Sequence, residues 1–332
     1  MQTELTVLMP NYNNELFLKE CINSILNQTF SKFIFLIIDD GSTDKSVEII
    51  KNYNDERIVL IEKKSNSGIV DTLNIGLDAV TTKYFIRMDG DDVSTADRFE
   101  ILYNYMESHP QIGVCGSDIK TFGNSNEVWK YYTDSDKLKA RLIFNGSVGH
   151  AASIFRTSIL KTNKIYYSNC YPYMEDYEIF SRLKKFTSFA NINKPLYHYR
   201  ILEHNSTIKN KSTAFERYRK IFKYILSELE IEATDNNIET HLDFFIKPDL
   251  SKKVKEYKQW MSFLIAQNKK TKIYPEEAFK ELLFEKWNFL FFKIIKNGLS
   301  QIITYWIYTK HISISQVRYL LGYYKLKITS KS

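Results

Sequence analysis

The stretch Tyr84-Phe85-Ile86-Arg87-Met88-Asp89-Gly90-Asp91-Asp92 runs from three apolar residues into three carboxylates within four positions. An uninterrupted apolar run of this kind reads as a buried strand, which places the acids at its carboxyl end. Charge of that density repels itself unless a cation is shared there. The alternate residues Asp89 and Asp91 can converge on a hard divalent ion, and such sites usually also take oxygens from substrate phosphates. The second reading open on these residues alone is an acidic turn that ends a strand.

Outward from this stretch the chain alternates. Leu5 to Met9 is a short apolar strand stopped by Pro10. Leu18, Cys21, Ile22, Ile25 and Leu26 recur with the period of an amphipathic helix. Phe33 to Ile38 is again a strand, and Gly41-Ser42-Thr43-Asp44 supplies a turn and N-cap candidates for a helix to about Tyr53. A strand over Ile58 to Ile61, a helix over 69–79, the strand over Tyr84 to Met88 and a helix carrying Phe99, Leu102, Tyr103 and Met106 follow. Strand–helix alternation with wholly apolar strands predicts an α/β fold, a mostly parallel sheet with helices on both faces. Ligands bind such sheets beyond the carboxyl ends of the strands. Asn11-Tyr12-Asn13, Asp39-Asp40-Gly41-Ser42 and Asp89-Gly90-Asp91-Asp92 all sit at such ends and should share one rim.

Beyond residue 110 the pattern is mixed. It predicts strands at Ile112 to Gly116, Val128 to Tyr132 and Ala151 to Phe155, a helix over 176–186, and an edge strand at Pro195 to Tyr199. From about 207 it is helical and basic, with a break near Lys247-Pro248. The expected organisation is a catalytic domain over 1–206, with halves of about 1–110 and 111–206, and a helical region over 207–332.

A chain of 332 residues with 44% hydrophobic and 26% charged residues is globular, not disordered. Three cysteines without metal-type spacing fit a reducing compartment, with Cys21 and Cys115 as core residues. Met1-Gln2-Thr3-Glu4 lacks a basic leader and no apolar run is long enough to span a bilayer, so a cytoplasmic location is expected. The net charge of +7 is uneven: −3 over 1–206 and +10 over 207–332, with eight Lys/Arg and no acid after Glu285. There Trp287, Phe289, Phe291, Phe292, Tyr305, Trp306 and Tyr308 interleave with Lys286, Lys293, Lys296 and Lys310. Two readings are open for 286–332: a segment lying on an anionic membrane surface, or a helical subdomain packing its own aromatics. No nucleic-acid-binding module accompanies the basic charge, so a nucleic-acid partner is not expected.

No glycine-rich dinucleotide or P-loop motif is present. Instead Tyr12 offers a flat face for a base, Asp39 or Asp40 can accept a hydrogen bond from a base N–H, and a metal at Asp89 and Asp91 would neutralise a diphosphate. Packing for Tyr12, and a capped turn for Asp39 to Ser42, are the alternatives. At Glu175-Asp176 two acids open a helix whose N-terminus stabilises a carboxylate by about 0.3–1 kcal/mol. That suits a base that must be anionic to take a proton from a hydroxyl; dipole complementation alone is the other reading.

The ordered set Leu5 to Asn13, Ile37 to Asp44, Asn66-Ser67-Gly68 with Asn74-Ile75-Gly76-Leu77, Arg87 to Asp92 and Glu175-Asp176-Tyr177-Glu178 resembles family 2 glycosyltransferases over residues 1 to about 205. The resemblance implies a GT-A fold and an inverting transfer from a nucleotide sugar, most often UDP-linked, with Mn²⁺ or Mg²⁺. It implies that Pro10, Tyr12 and Asp40 hold the nucleoside with Asp39 beside them, and that Gly68 lets the backbone approach the nucleotide. By the same match Asp91 is the main metal ligand with Asp89 its neighbour, and Asp176 is the general base. His150, Glu175 and His204 become candidates for acceptor or diphosphate contacts. Many relatives carry Arg-x-His after the last strand, where Arg200-Ile201-Leu202 has leucine instead, with His204 two residues on. The implied role is transfer of a hexosyl or N-acetylhexosaminyl group to a glycan or glycolipid in surface polysaccharide or lipooligosaccharide synthesis, with the enzyme cytoplasmic or peripheral on the inner membrane. A sugar nucleotidyltransferase would want a basic glycine-rich loop where Pro10-Asn11-Tyr12-Asn13-Asn14 stands. A non-catalytic nucleotide-sugar-binding protein would not need every acidic position filled, as it is here.

Overall fold

A computed structural model describes residues 3–202, 214–248, 254–294, 299–309, 314 and 316–321. The chain divides into two compact units, Met1–Arg217 and Tyr218–Ser332. The sequence-based boundary at 206 falls outside the described residues.

In the first unit, nine strands form one sheet: β1 (Leu5–Asn11), β2 (Ile34–Asp39), β3 (Ile58–Glu62), β4 (Tyr84–Arg87), β5 (Val93–Ser94), β6 (Ile112–Gly123), β7 (Val128–Trp129), β8 (Ile154–Arg156) and β9 (Ser188–Ile201), in the order β3-β2-β1-β4-β8-β6-β9-β5 with β7 paired to β6. The first four run parallel, each crossover made by a helix: α1 (Leu18–Leu26), α2 (Ser46–Lys51) and α3 (Ile69–Ala79). The apolar runs of β1, β2 and β4 are buried because both faces are covered, while β3, at the sheet edge, is only partly covered, with Val59 44% exposed. On α1, Leu18, Cys21, Ile22 and Ile25 are fully buried against Val7, Met9, Phe35 and Ile37. Each such side chain contributes about 1.5–3 kcal/mol on leaving water. Helix α3 lies close on β1 because Gly76 carries no side chain; a Cβ there would meet Leu8 Cδ1 at 2.3 Å.

Register fixes the rim. Asn11 lies opposite Asp39, Asp39 opposite Glu62, and Leu8 opposite Arg87, so the polar ends of the four parallel strands lie side by side. Beyond β4 the sheet turns antiparallel through β8 to β6, and β6 and β9 then run parallel.

Five strand expectations shift. Strand β1 is not stopped by Pro10 but runs through it to Asn11. Pro195 to Tyr199 is not an edge strand but the outer half of the 14-residue β9. Pro195 is tolerated inside the sheet because it sits at a register irregularity opposite Asp118. The two-residue β5, directly after the acidic run, forms the edge instead. Strand β6 continues past Gly116 to Gly123, carrying a buried Asp118 that accepts from Asn191 Nδ2 (2.9 Å) and the Tyr131 backbone N–H (3.2 Å). The strand expected over Val128 to Tyr132 shrinks to β7, and that over Ala151 to Phe155 to β8.

The rest of the first unit adds helices α4 (Arg98–Ser108), α5 (Ser135–Arg141), α6 (Thr157–Thr162) and α7 (Glu175–Leu183). The second unit is helical: α8 (Ala214–Glu228, which starts within the first unit), α9 (Asp235–Phe245), α10 (Val254–Thr271), α11 (Glu276–Ile294) and α12 (Leu299–Thr309). Helix α9 ends just before Lys247-Pro248, where the break was expected. Part of the aromatic set is core: Trp287, Phe291 and Tyr305 are fully buried, and Trp287 stacks on Tyr305 at 4.7 Å and donates to Thr309 Oγ1 at 2.8 Å. Phe289 is 54% exposed. Among the described residues no helix is long and apolar enough to cross a membrane.

Candidate active site

A cleft of about 260 Å³ opens at the rim, lined by Pro10, Asn11, Tyr12, Asn14, Asp40, Asn66, Gly68, Ile69, Thr72, Asp89, Gly90 and Asp91. Six residues singled out in the sequence, namely Pro10, Tyr12, Asp40, Gly68, Asp89 and Asp91, therefore share one wall. Tyr12 is not core packing: its side chain is 44% exposed.

The two aspartates after β2 differ in situation. Asp39 is buried behind the cleft, where its carboxylate accepts from Asn11 Nδ2 (2.8 Å), the Ser42 backbone N–H (2.8 Å) and Ser42 Oγ (2.6 Å). It ties the ends of β1 and β2 together and does not line the cleft. Asp40 does line it. Its Oδ1 accepts from the Ser67 N–H (2.9 Å) and Lys63 Nζ (2.6 Å), and its Oδ2 from the Gly68 N–H (2.9 Å). Gly68 has φ +94° and ψ 165°, a conformation open only to glycine, and a Cβ placed there would meet nothing within 4 Å. The bare backbone thus opens onto free space.

Lys63 went unremarked in the sequence, where one lysine among many carries no pattern. It also contacts Asp71 Oδ2 (2.8 Å) and Thr72 Oγ1 (3.2 Å). Burial alone would lower its ammonium, but the hydrogen bonds to Asp40 and Asp71 outweigh that and hold it above its ordinary value.

The acidic loop gives each carboxylate a separate fate. Asp92 is fully buried and accepts from Tyr197 Oη (2.6 Å) and the Arg200 backbone N–H (2.7 Å). Burial first, then the charges of Asp91 and Asp89, raise it well above the carboxylate range. Asp89 is ion-paired with Arg87, which is itself buried. Asp91 has no ion pair among the described residues; burial and then the Asp89 charge push it up to about 6. The loop is held throughout. The Met88 N–H bonds Leu8 O (3.1 Å), the Asp89 N–H bonds Tyr197 Oη (3.3 Å), Cys21 Sγ bonds Asp89 O (3.2 Å), and Arg200 Nε bonds Asp91 O (2.8 Å). Gly90 is required because Asn14 Nδ2 and Asn11 Oδ1 would lie 2.8 and 3.1 Å from a Cβ.

Glu175 and Asp176 open α7 (Glu175–Leu183), and both are half-buried. Asp176 Oδ1 accepts the Tyr177 backbone N–H at 2.7 Å. Burial raises its carboxyl, while that N–H and the Arg87 charge pull it back; burial and then the Asp176 charge push Glu175 up to about 7. Arg87 thus acts on both sides, paired to Asp89 and felt by Glu175 and Asp176. Its Nε and Glu175 Oε2 are buried without hydrogen-bond partners among the described residues. His150 does not line the cleft. Its Nε2 bonds Tyr167 Oη at 2.7 Å and its ring packs edge-on to Phe155 and Phe180. Burial, then Arg87, holds it well below the usual imidazole value, as a neutral ring. Tyr167 is fixed from the other half by Asn74, whose side-chain amide bonds both its backbone C=O (3.0 Å) and N–H (2.8 Å). His204 lies outside the described residues.

No group of three or more acidic, histidine or cysteine side chains that could hold a metal occurs among the described residues. An unpaired Asp91 beside a half-neutralised Asp89 fits a cation that completes its shell with other oxygens.

Residues 6–163 match the family model described as glycosyl transferase family 2. This segment therefore carries a family 2 glycosyltransferase domain. The glycosyltransferase is 28% identical over 281 residues to an uncharacterised glycosyltransferase of Haemophilus influenzae, covering 78% of this chain and 86% of that one. It is 26% identical to the amylovoran biosynthesis glycosyltransferase AmsE of Erwinia amylovora, covering 68% and 83%. Its GT-A fold is that of S. aureus TarS residues 1–349, solved in complex with UDP-GlcNAc, at a TM-score of 0.59 and 19% identity over 83% of this chain and 82% of that one.

Proposed function

We propose that the glycosyltransferase moves a hexosyl or N-acetylhexosaminyl group from a UDP-linked donor to a hydroxyl of a glycan or lipid-linked acceptor, by single displacement with inversion. The observation that carries this reading is the hydrogen-bond state of Asp40. Each carboxylate oxygen offers about two acceptor positions. Lys63 and Ser67 fill those of Oδ1, and Gly68 leaves one on Oδ2. A uracil presents one N–H, which one vacancy satisfies. A guanine presents two adjacent donors that would want both oxygens. The exposed Tyr12 ring supplies the stacking face, and the open Gly68 backbone lets the nucleotide approach.

Asp91, with Asp89 beside it, would hold Mn²⁺ or Mg²⁺ together with the donor diphosphate; the ion supplies Lewis-acid stabilisation of the leaving nucleotide. Arg87 keeps Asp89 oriented. Asp176 takes the proton from the acceptor hydroxyl, which attacks the anomeric carbon on the face opposite the diphosphate, and no covalent sugar–enzyme link is needed. Glu175, whose Oε2 has no hydrogen-bond partner among the described residues, would hold a neighbouring acceptor hydroxyl. The role would lie in surface polysaccharide or lipooligosaccharide synthesis, and the likeness to the amylovoran biosynthesis glycosyltransferase AmsE supports a biosynthetic glycosyltransferase of this kind. A thermal-shift panel of nucleotide sugars, with Mn²⁺ and with chelator, tests the donor. Stabilisation by UDP-sugars that needs the cation is expected; equal stabilisation by GDP-sugars would refute the Asp40 argument.

A further inference from the structure

We infer that a cavity within the second unit is a seat for an anionic phospholipid of a bilayer, a site the transfer chemistry does not use. The cavity, about 380 Å³, lies between the C-terminal end of α9 with the segment Ile246 to Pro248 and one face of α11. That face is set by spacing: Lys286, Phe289, Leu290 and Lys293 follow each other at i, i+3, i+4 and i+7, so all four point the same way. Phe244, Phe245 and Leu290 are buried and make an apolar floor, while Lys247, Lys286 and Lys293 stand at the margin. Phe289 projects, 54% exposed, with the Lys293 ammonium 5.3 Å from its ring centre.

Two features identify the occupant. No acidic residue is among the described lining residues, and no acid follows Glu285 in the chain, so the margin favours an anion. The floor is apolar and of ligand size, which a bare phosphate or an acidic peptide would leave unfilled. A phosphate head with an attached acyl chain satisfies both parts. Lysine stems can lie along apolar surface while their ammonium groups meet the head at the interface.

The test uses the full chain and vesicles of phosphatidylcholine with or without phosphatidylglycerol, read by co-sedimentation over a salt series. Salt-sensitive binding is expected only with phosphatidylglycerol. Each margin lysine should contribute about fivefold, so Lys247→Gln, Lys286→Gln and Lys293→Gln together should weaken binding on the order of 100-fold. Arginine at the three positions should restore it, which separates charge loss from misfolding. Phe289→Ser should weaken binding while leaving its salt dependence unchanged. The exposed lysines Lys255, Lys269 and Lys272, replaced together by glutamine, should have little effect. Equal loss in that control, wild-type binding by the triple variant, or displacement by inorganic phosphate alone overturns the proposal. Cleavage of a UDP-sugar without acceptor should be the same in all these variants, so a failed lipid site stays distinguishable from a failed donor site.

Discussion

Asp91→Asn should make the protein more stable and less able to bind its donor. In the folded chain Asp91 titrates near 6, above its ordinary 3.8, because it is set into the cleft wall beside Asp89. A carboxyl so raised means the folded state binds a proton the unfolded state has released. The penalty is therefore absent below about pH 4, grows between about pH 4 and 6, and is complete above about pH 7. At roughly 1.4 kcal/mol per pH interval it amounts to at most about 3 kcal/mol, of which water in the cleft leaves about 2. Asparagine removes it. For a unit of this size the gain corresponds to a rise in Tm of about 4–8 °C. Thermal denaturation of both proteins in chelator, at about pH 8 and at about pH 4.5, should show the full gain at the higher pH and only about a third of it at the lower. Adding Mn²⁺ with UDP should then raise the Tm of wild type and not of the variant. A variant less stable than wild type at the higher pH, or an equal difference at both, would refute the reasoning.

Asp176→Asn should leave UDP affinity by calorimetry nearly intact and lower transfer by about 10²–10⁴-fold, the usual worth of a positioned base; equal transfer rates would remove Asp176 from that role. Gly68→Ala should destabilise by about 1–3 kcal/mol in urea titration, because alanine cannot adopt its φ and ψ without strain, and should weaken UDP binding. An unchanged denaturation midpoint would show that the backbone relaxes there.

The parallel half of the sheet was legible because β1, β2 and β4 are buried on both faces and so read as unbroken apolar runs; the edge strand β3 is only partly covered but keeps the same apolar composition. Pro10, Asp39 and Arg87 mark where each run meets the rim. Strand β5 was not legible: two residues carry no period, and Val93 and Ser94 pair only because β9 passes beside them. The long β9 was hidden by Asn191, Asn193, Lys194 and Pro195, which interrupt its apolar pattern. At the site, Tyr12, Asp40 and Asp91 stood out as residue types in suggestive places. The division of labour between Asp39 and Asp40 did not, because it depends on partners 3 to 28 positions distant. Arg87 was visible but mute; its pairing with Asp89 follows from burial, which a one-dimensional pattern does not record.

The stitching of residues 88–92 between two strands bears on which ions the proposed metal site would accept. The carboxylates of Asp89 and Asp91 ride on a backbone held by Leu8, Cys21, Tyr197 and Arg200, so their spacing is set when the chain folds. Ca²⁺ takes six to eight oxygens at about 2.3–2.6 Å and prefers ligands free to shift, whereas Mg²⁺ wants a regular six at about 2.0–2.1 Å. A frame with so little give discriminates by ionic radius, and Ca²⁺ should occupy it, if at all, without supporting turnover.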